Sequence, residues 1–586
     1  MISHSPPPYV RAPRPRKILI VGGGVAGLAA LRALVEEGGV GTDGPFNQVD
    51  LIERRDCVGG VWYLDDDAVQ RERSSVRGAT AGQWPIPPVN LSPAGTSTSC
   101  CLTNGTLHKS PSSSKKPCWP SPAYPGLRGN VLPRFLTLAG AHPFPPVADP
   151  DDPFPTLAET QAYLELIAKP IRRHIQCNVE CIDVRELPGR SEEHNRWAVR
   201  LRDWNRPGAP QVTRYYDAVI LTVGWTDVPA YPCVPGLEEA KSHGLVEHCK
   251  SYRGPEPYGR EARIVVVGNA NSGNDVAAQL AGLRQVGKHE AIFRSVRHKA
   301  WDYIVSLPDP LIRDVPPIAK LAVNRNGSKV HVTLADGAVL EDVDRIIFAS
   351  GYVIGKIPYV YLLNRQPLAN EAGLLPQQCT DEDDWHAGQH RALASLWRPL
   401  CAPPPGSPFN TVNNPERVPS LFWQFLHARA ATLAIINLAP TRIPFWTSDV
   451  QSHCLRAIWD GSMTDFPDTL ERRLEYESRR IKWLLEMKEE EPDRVKTSRE
   501  QCTKAQMNNG ESAYAPPEHA GTPSYHSLGL MIDDYGPPLR RMAIAAKPEW
   551  ENKLPDWDEH AEERKNMHKL RKFALLKRKE RGIRQN

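Results

Sequence analysis

The apolar positions of this 586-residue chain twice spell out the same pattern: an unbroken strand-length run, a cluster of glycines, then a helical run. The first copy is Lys17-Ile18-Leu19-Ile20-Val21, then Gly22-Gly23-Gly24-Val25-Ala26-Gly27, then an alanine- and leucine-rich stretch from Leu28 to Val35. The second is Arg263-Ile264-Val265-Val266-Val267, then Gly268-Asn269-Ala270-Asn271-Ser272-Gly273, with a helix predicted from Asn274 onward. Short continuous apolar runs bounded by glycine predict strands buried on both faces, as in a parallel sheet. Each copy is followed by another predicted strand, over 48–53 and 291–294. A helix is predicted over 157–175, and strands over 197–201 and 218–223. Alternating Val330, Val332 and Leu334, an Asp336-Gly337 turn and Val339 predict a meander that closes with a strand over 345–349. Beyond it, one more strand is expected at 418–423 and helices around 452–459 and 470–487. The charged tail from Lys547, basic from Lys577 to Arg584, reads as a solvated helix.

The glycine spacing changes the picture from fold to chemistry. In G-x-G-x-x-G, Gly22 permits a tight turn, Gly24 lets the backbone approach a pyrophosphate, and Gly27 allows close helix–strand packing. The helix N-terminus adds unpaired N–H groups and a positive dipole. The following strand ends in Glu53, an acceptor for a ribose 2′-OH, which favours FAD or NAD at this first cradle. In the second cradle, built on Gly268, Ser272 and Gly273, arginines stand where the first has its acid. Arg294 and Arg297 there suit a 2′-phosphate, so NADPH is expected.

Composition bounds the rest. The chain is 40% hydrophobic and carries a net charge of +4 spread along its length, so no electrostatic footprint for nucleic acid is visible and a small-molecule partner is expected. The longest apolar stretch, Ile18 to Leu31, is too short and glycine-rich to cross a bilayer, and no transmembrane segment is predicted. Residues 1–16 are proline-rich and basic without the apolar core of a signal peptide and read as disordered. Twelve scattered cysteines suit reduced thiols in the cytoplasm. Residues 65–121 are rich in Ser, Pro, Thr and Gly and read as an irregular insertion. No metal is expected, because His386 and His390 lack the glutamate of H-E-x-x-H, having Ala387 in its place.

Between and after the cradles stand Gly59-Gly60-Val61-Trp62, Tyr124-Pro125-Gly126-Leu127-Arg128-Gly129-Asn130, Gly244-Leu245-Val246-Glu247-His248 with Tyr252, and Phe348-Ala349-Ser350-Gly351-Tyr352. In this order and spacing the chain resembles class B flavin-dependent monooxygenases of the flavin-containing monooxygenase type, especially fungal members. The resemblance implies an α/β fold of two dinucleotide-binding, Rossmann-like domains, with the NADPH domain inserted in the FAD domain. It places the first part of the FAD domain at 17–225, the NADPH domain at 226–345, the second part at 346–460 and a helical extension at 461–586. It also implies hydride transfer from NADPH to FAD, addition of O2 at the flavin C4a position to give a hydroperoxyflavin, and passage of one oxygen atom to a soft N or S nucleophile. By position, Asn130 matches the asparagine beside the flavin, Gly60, Trp62 and Gly351 line the cofactors, and His248 and Tyr252 influence how NADP sits. Baeyer–Villiger monooxygenases carry tryptophan where Tyr252 stands, so heteroatom oxygenation is preferred over ketone oxygenation.

Several residues depart from the family pattern. Gly129 replaces threonine beside Asn130 and is expected to loosen the backbone there. Ala270 stands at the second cradle's middle glycine, where its Cβ would crowd the pyrophosphate, and Phe425 falls near a family glycine. These departures keep open a flavin-binding protein without turnover. A disulfide reductase would need two cysteines spaced beside the flavin, and Cys57 has no such partner, while Cys177 and Cys181 lie well past the flavin motifs. Oligomeric state and substrate identity have no readable code.

Overall fold

The structure, a computed structural model, describes residues 12–41, 43–64, 116–117, 119–187, 197–301, 303–353, 357–363, 397–402, 417–486, 525–526 and 532–582. Most of the expected insertion at 65–121, the first eleven residues, and His386 and His390 lie outside the described residues.

The first cradle sits in a seven-stranded sheet ordered Leu421–Phe422, Leu426–His427, Leu433–Ile435, Ala218–Leu221, Lys17–Val21, Gln48–Glu53, Ile175–Cys177. Lys17–Val21 is central, with Ile20 opposite Leu51 on one side and Ile220 on the other in parallel register. Ile18, Leu19 and Ile20 are fully buried, as an apolar run in a two-faced parallel sheet must be. The helix Val25–Val35 packs its Leu28, Leu31 and Leu34 into the core that also holds the late helix Pro444–Trp459. Because Leu433–Ile435 pairs in parallel with Ala218–Leu221, a late segment completes an early sheet.

The second cradle has its own five-stranded, all-parallel sheet, ordered Ile312–Val315, Ile292–Ser295, Ile264–Val267, Arg345–Phe348, Val246–His248. All of it comes from one continuous stretch of chain, so this unit is inserted in the first. The strand Arg345–Phe348 was expected to close the meander. It lies instead between Ile264–Val267 and Val246–His248, because Ile346, Ile347 and Phe348 are fully buried and need cover on both faces. A domain boundary at 345/346 therefore cuts this strand, and the inserted sheet runs through Phe348. The antiparallel meander is Ile318–Val323, Val330–Leu334 and Val339–Val343, turning at Gly337 with φ +89°. A fourth sheet, with Val179–Glu186 and Trp197–Asp203 at its centre, packs beside the first.

Two expectations need correction. The strand expected over 418–423 shortens to Leu421–Phe422, because Trp423 and Gln424 turn the chain with φ of 45° and 57° and send it back as Leu426–His427. Trp423 is held there by stacking on Tyr476, with ring centroids 4.6 Å apart. The tail helix Ala561–Glu580 is not solvated all round: Arg564, Met567, Arg571, Ala574, Leu575 and Arg578 are buried. Three arginines seven residues apart form its docking face. Arg564 donates to the Trp557 carbonyl at 3.0 Å, Arg571 to the Gly129 carbonyl at 3.0 Å, and Arg578 pairs with the buried Asp152. Buried guanidinium groups persist only when each finds an oxygen, and these do. Among the described residues no helix is long and apolar enough to cross a membrane.

Candidate functional site

In the first cradle the glycines are fixed by contact. A Cβ on Gly27 would lie 2.0 Å from the Gly22 carbonyl oxygen, and one on Gly22, whose φ is +111°, would lie 2.8 Å from the Thr222 carbonyl oxygen. The Thr222 hydroxyl closes the turn by donating to the Gly22 carbonyl at 2.8 Å. Gly24 ends the turn as the residue that caps the helix, with no side-chain hydrogen bond at that position. Gly60 lies against it, since a Cβ on Gly60 would come 2.9 Å from the Gly24 Cα. Glu53 is buried at the end of its strand, accepting from the Gly23 N–H at 2.7 Å and the Arg55 N–H at 2.9 Å. Two glycine backbones face to face, a bare helix N-terminus and a carboxylate beside it fit the pyrophosphate and ribose of FAD. Trp62 is half-buried against the first core.

The second cradle repeats the closure. A Cβ on Gly273 would lie 2.2 Å from the Gly268 carbonyl oxygen, and one on Gly268, φ +114°, 2.7 Å from the Ala349 carbonyl oxygen. Ala270 does not disturb the turn: its φ and ψ, −80° and −176°, match the −78° and −174° of Gly24, and its side chain is exposed. Ser272 is half-buried in the first turn of Asn271–Gly282, at the cradle mouth. The two arginines part company. Arg294 forms a two-pronged pair with Asp314 at 2.7 and 3.0 Å and donates to Asn274 and Ser306, so it ties the helix to the neighbouring strand. Arg297 is exposed just past the strand end.

His248, Tyr252 and Tyr124 gather against the second cradle. His248 is buried, accepts from the Lys250 N–H on Nδ1 at 3.1 Å and lies 2.9 Å from the Gly351 carbonyl on Nε2, which assigns the proton to Nε2. Burial pushes its pKa down to about 4, so the ring is neutral. Tyr252 is fully buried and donates to Gln279 at 2.9 Å, and its ring meets the Tyr124 ring edge-on at 5.5 Å. Tyr124 in turn donates to Asp275 at 2.7 Å. Burial raises the Asp275 carboxyl to about 6, against the pull of Arg571, Tyr124 and Arg578. Asn130, at the end of the same loop, is exposed. The backbone before it is not loose: the Gly129 N–H donates to the Pro155 carbonyl at 2.8 Å, and the Gly129 carbonyl accepts from Arg571 at 3.0 Å. A Cβ on Gly129 would lie 3.3 Å from Pro155 Cδ, a tight contact to which the ring would have to yield by a few tenths of an ångström.

Residues 144–306 match the family described as flavin-binding monooxygenase-like. Over part of its length the chain is similar to flavin-containing monooxygenases. It is 26% identical over 277 residues to flavin-containing monooxygenase FMO GS-OX-like 4 of Arabidopsis thaliana, covering 46% of this chain and 49% of that protein. It is 32% identical over 162 residues to the thiol-specific monooxygenase of Saccharomyces cerevisiae, covering 28% of this chain and 34% of that one. The chain thus spans about half the length of these curated relatives or less. Its fold is that of S-allyl-L-cysteine S-oxygenase from Allium sativum, with a TM-score of 0.55 at 19% identity, covering 96% of this chain and 93% of that one. FAD and NADPH are the cofactors of the flavin-containing monooxygenase family, and the chain carries two nucleotide cradles.

Sequence reasoning missed Thr222, Asp275 and Arg571. Thr222 and Asp275 had a faint signal, each next to a recognised strand or glycine turn, but Arg571 acts 442 positions from its partner and has none. The thiols fit a family that does not rely on a redox disulfide: burial, then Glu165, pushes Cys57 up to about 12, and burial raises Cys177. A redox pair needs a depressed thiol pKa. Phe425, expected near a family glycine, is buried in the first core, and the left-handed turn falls on Trp423 and Gln424 instead.

Proposed function

We propose that the chain is an FAD- and NADPH-dependent monooxygenase that places one oxygen atom of O2 on a soft nucleophile, nitrogen or sulfur, of a small molecule. The observation that carries this reading is the loop from Tyr124 to Asn130. It bonds to the second cradle's helix through Tyr124 and Asp275, the chain just before it is tied to Val61 beside the first cradle through the Ser121 hydroxyl, and it carries an exposed amide at Asn130. Bound FAD supplies the chemistry, taking two electrons from NADPH and activating O2. The chain's residues do the holding. The helix N-termini after Gly24 and Ala270 receive pyrophosphates, Glu53 the ribose hydroxyls, and Arg297 the 2′-phosphate. The Asn130 amide donates a hydrogen bond where oxygen is activated, which keeps electrons from leaving as hydrogen peroxide. Neutral His248 holds the carbonyl of Gly351, and buried Tyr252 braces the second cradle's helix through Gln279.

Tyrosine at 252 supports heteroatom over ketone oxygenation. The yeast relative is named for thiols and the garlic structure for S-oxygenation, so sulfur is the first substrate class to try. The reduced cysteines support a cytoplasmic setting. The test is anaerobic addition of NADPH to the yellow protein, followed by air and a thioether. Flavin bleaching and a sulfoxide formed in step with NADPH are expected; a flavin that NADPH leaves oxidised would overturn the reading. Asn130→Ala should retain FAD and divert several times more of the electrons to hydrogen peroxide.

A further inference from the structure

The loop that carries Asn130 is gripped by the far end of the chain. Arg571, buried on the helix Ala561–Glu580, bonds the Gly129 carbonyl at 3.0 Å and lies 3.7 Å from an Asp275 oxygen with its other nitrogen. Asp275 belongs to the helix of the second cradle and accepts from Tyr124, at the start of the loop. One guanidinium therefore joins three segments: the loop end at Gly129, the NADPH-side helix, and the C-terminal helix. Further along, Arg578 and Arg128 share the buried carboxylate of Asp152, and Arg128 also donates to the Phe154 carbonyl.

The Gly129 carbonyl is a telling place to hold. A peptide unit is planar and contains the Cα of the next residue, so fixing that oxygen fixes the Asn130 Cα. Glycine at 129 gives this unit more freedom to swing than threonine would. Arg571 takes that freedom away. We propose that Arg571 is a positioning residue: through the Gly129 carbonyl it sets the Asn130 amide, and through Asp275 it keeps the amide in register with the second cradle. The proposal rests on the monooxygenase reading for the meaning of Asn130 but not for the mechanical link.

The competing explanation is that Arg571 only neutralises Asp275. Lysine separates the two, because it keeps the charge but has no planar fork to reach both oxygens. Three full-length, FAD-loaded proteins are compared: wild type, Arg571→Lys and Arg571→Gln. Each is read by hydrogen exchange of backbone amides in 124–132 and 155–157, by thermal melting and by the share of NADPH electrons released as hydrogen peroxide. For Arg571→Lys we expect near-normal melting and retained FAD, exchange in the loop faster by about tenfold, the scale of one lost charge-assisted hydrogen bond, and a raised peroxide share. Arg571→Gln should show the same loop effect with lower melting; if it does not fold, Arg571→Lys decides alone. Wild-type exchange in the loop of Arg571→Lys would overturn the proposal, as would fast exchange with an unchanged peroxide share. If wild type holds FAD but oxidises no NADPH, the monooxygenase reading falls, and the exchange comparison by itself upholds or overturns the link from Arg571 to the loop.

Discussion

The two cradles have the same backbone and different surroundings. In both, the first and last glycines are dictated by a carbonyl oxygen 2.0 to 2.8 Å from where a Cβ would stand, so no other residue fits without moving the main chain. The middle position differs. In the first cradle it is Gly24, with the Gly60 backbone lying on it; in the second it is Ala270, in the same conformation but exposed. A Cβ on Gly24 would stand 3.5 Å from the Gly60 Cα, an ordinary contact, so protein packing leaves both middle positions open to alanine; Gly60, whose own Cβ would come within 2.9 Å of the Gly24 Cα, is the residue this approach holds to glycine. The strand-end charges also differ: Glu53 is built into the turn through the Gly23 N–H, whereas Arg294 is built into the sheet through Asp314 and Arg297 stands exposed beyond it.

The sharpest way to break this comparison is to add a methyl group at each closing position. Gly27→Ala should yield protein without bound flavin, because the clash lies in the main core. Gly273→Ala should stay yellow but resist reduction by NADPH, with the rate lower by tenfold or more; absorbance spectra before and after NADPH check both. If Gly27→Ala keeps its colour, the shared closure is not what holds the first nucleotide.

The seat of the second cradle can be probed by pH. His248 holds the carbonyl of Gly351, two residues beyond the carbonyl that seats Gly268. Its folded pKa of about 4 lies below the ordinary 6.5. As pH falls, the unfolded chain takes up this proton first, so the histidine's contribution is fully present above about 6.5 and is lost towards pH 4. The loss should reach at most about 3 kcal/mol. Melting curves of wild type and His248→Gln over that range should converge as pH drops; parallel curves would show that the ring is not buried neutral.

A smaller contrast lies between the arginines. Arg297→Ala should raise the KM for NADPH about tenfold, as expected for one phosphate contact, and leave NADH unaffected. Arg294→Ala should lower the melting temperature and spare the preference between the two nicotinamide cofactors. The reverse pattern would return the 2′-phosphate to Arg294. Ala270→Gly should be nearly silent, changing KM less than about twofold, since its backbone already has the glycine geometry of the first cradle. A large gain in affinity would mean that the Ala270 Cβ does crowd the pyrophosphate.

Both cradles were legible in the sequence because their determinants are local: an apolar run, a glycine spacing and a charge a fixed distance on. The meander turn at Asp336-Gly337 was legible for the same reason. What could not be read depends on contacts between distant segments. The strand Arg345–Phe348 looks like the next arm of a meander until burial on both faces is known. Arg571 looks like one more charge in a basic tail, and its partner is hundreds of residues away. Expecting a loose backbone at Gly129 was sound for the isolated loop; Pro155 and Arg571 supply what the missing side chain would have supplied.

The seven-residue spacing of Arg564, Arg571 and Arg578 has a mechanical corollary. Seven residues are nearly two helical turns, with a drift of only about 20° per interval, so the three guanidinium groups lie almost in a line. Each of their oxygen partners is a single point rather than a smooth apolar surface. Sliding the rod by one turn, about 5.4 Å, would take Arg571 off Gly129 and Arg578 off Asp152 together and unseat Met567 and Ala574 from the core, whereas Arg564 bonds Trp557 of its own C-terminal segment. The register of the rod against the body is thus set at two distant points, Gly129 and Asp152.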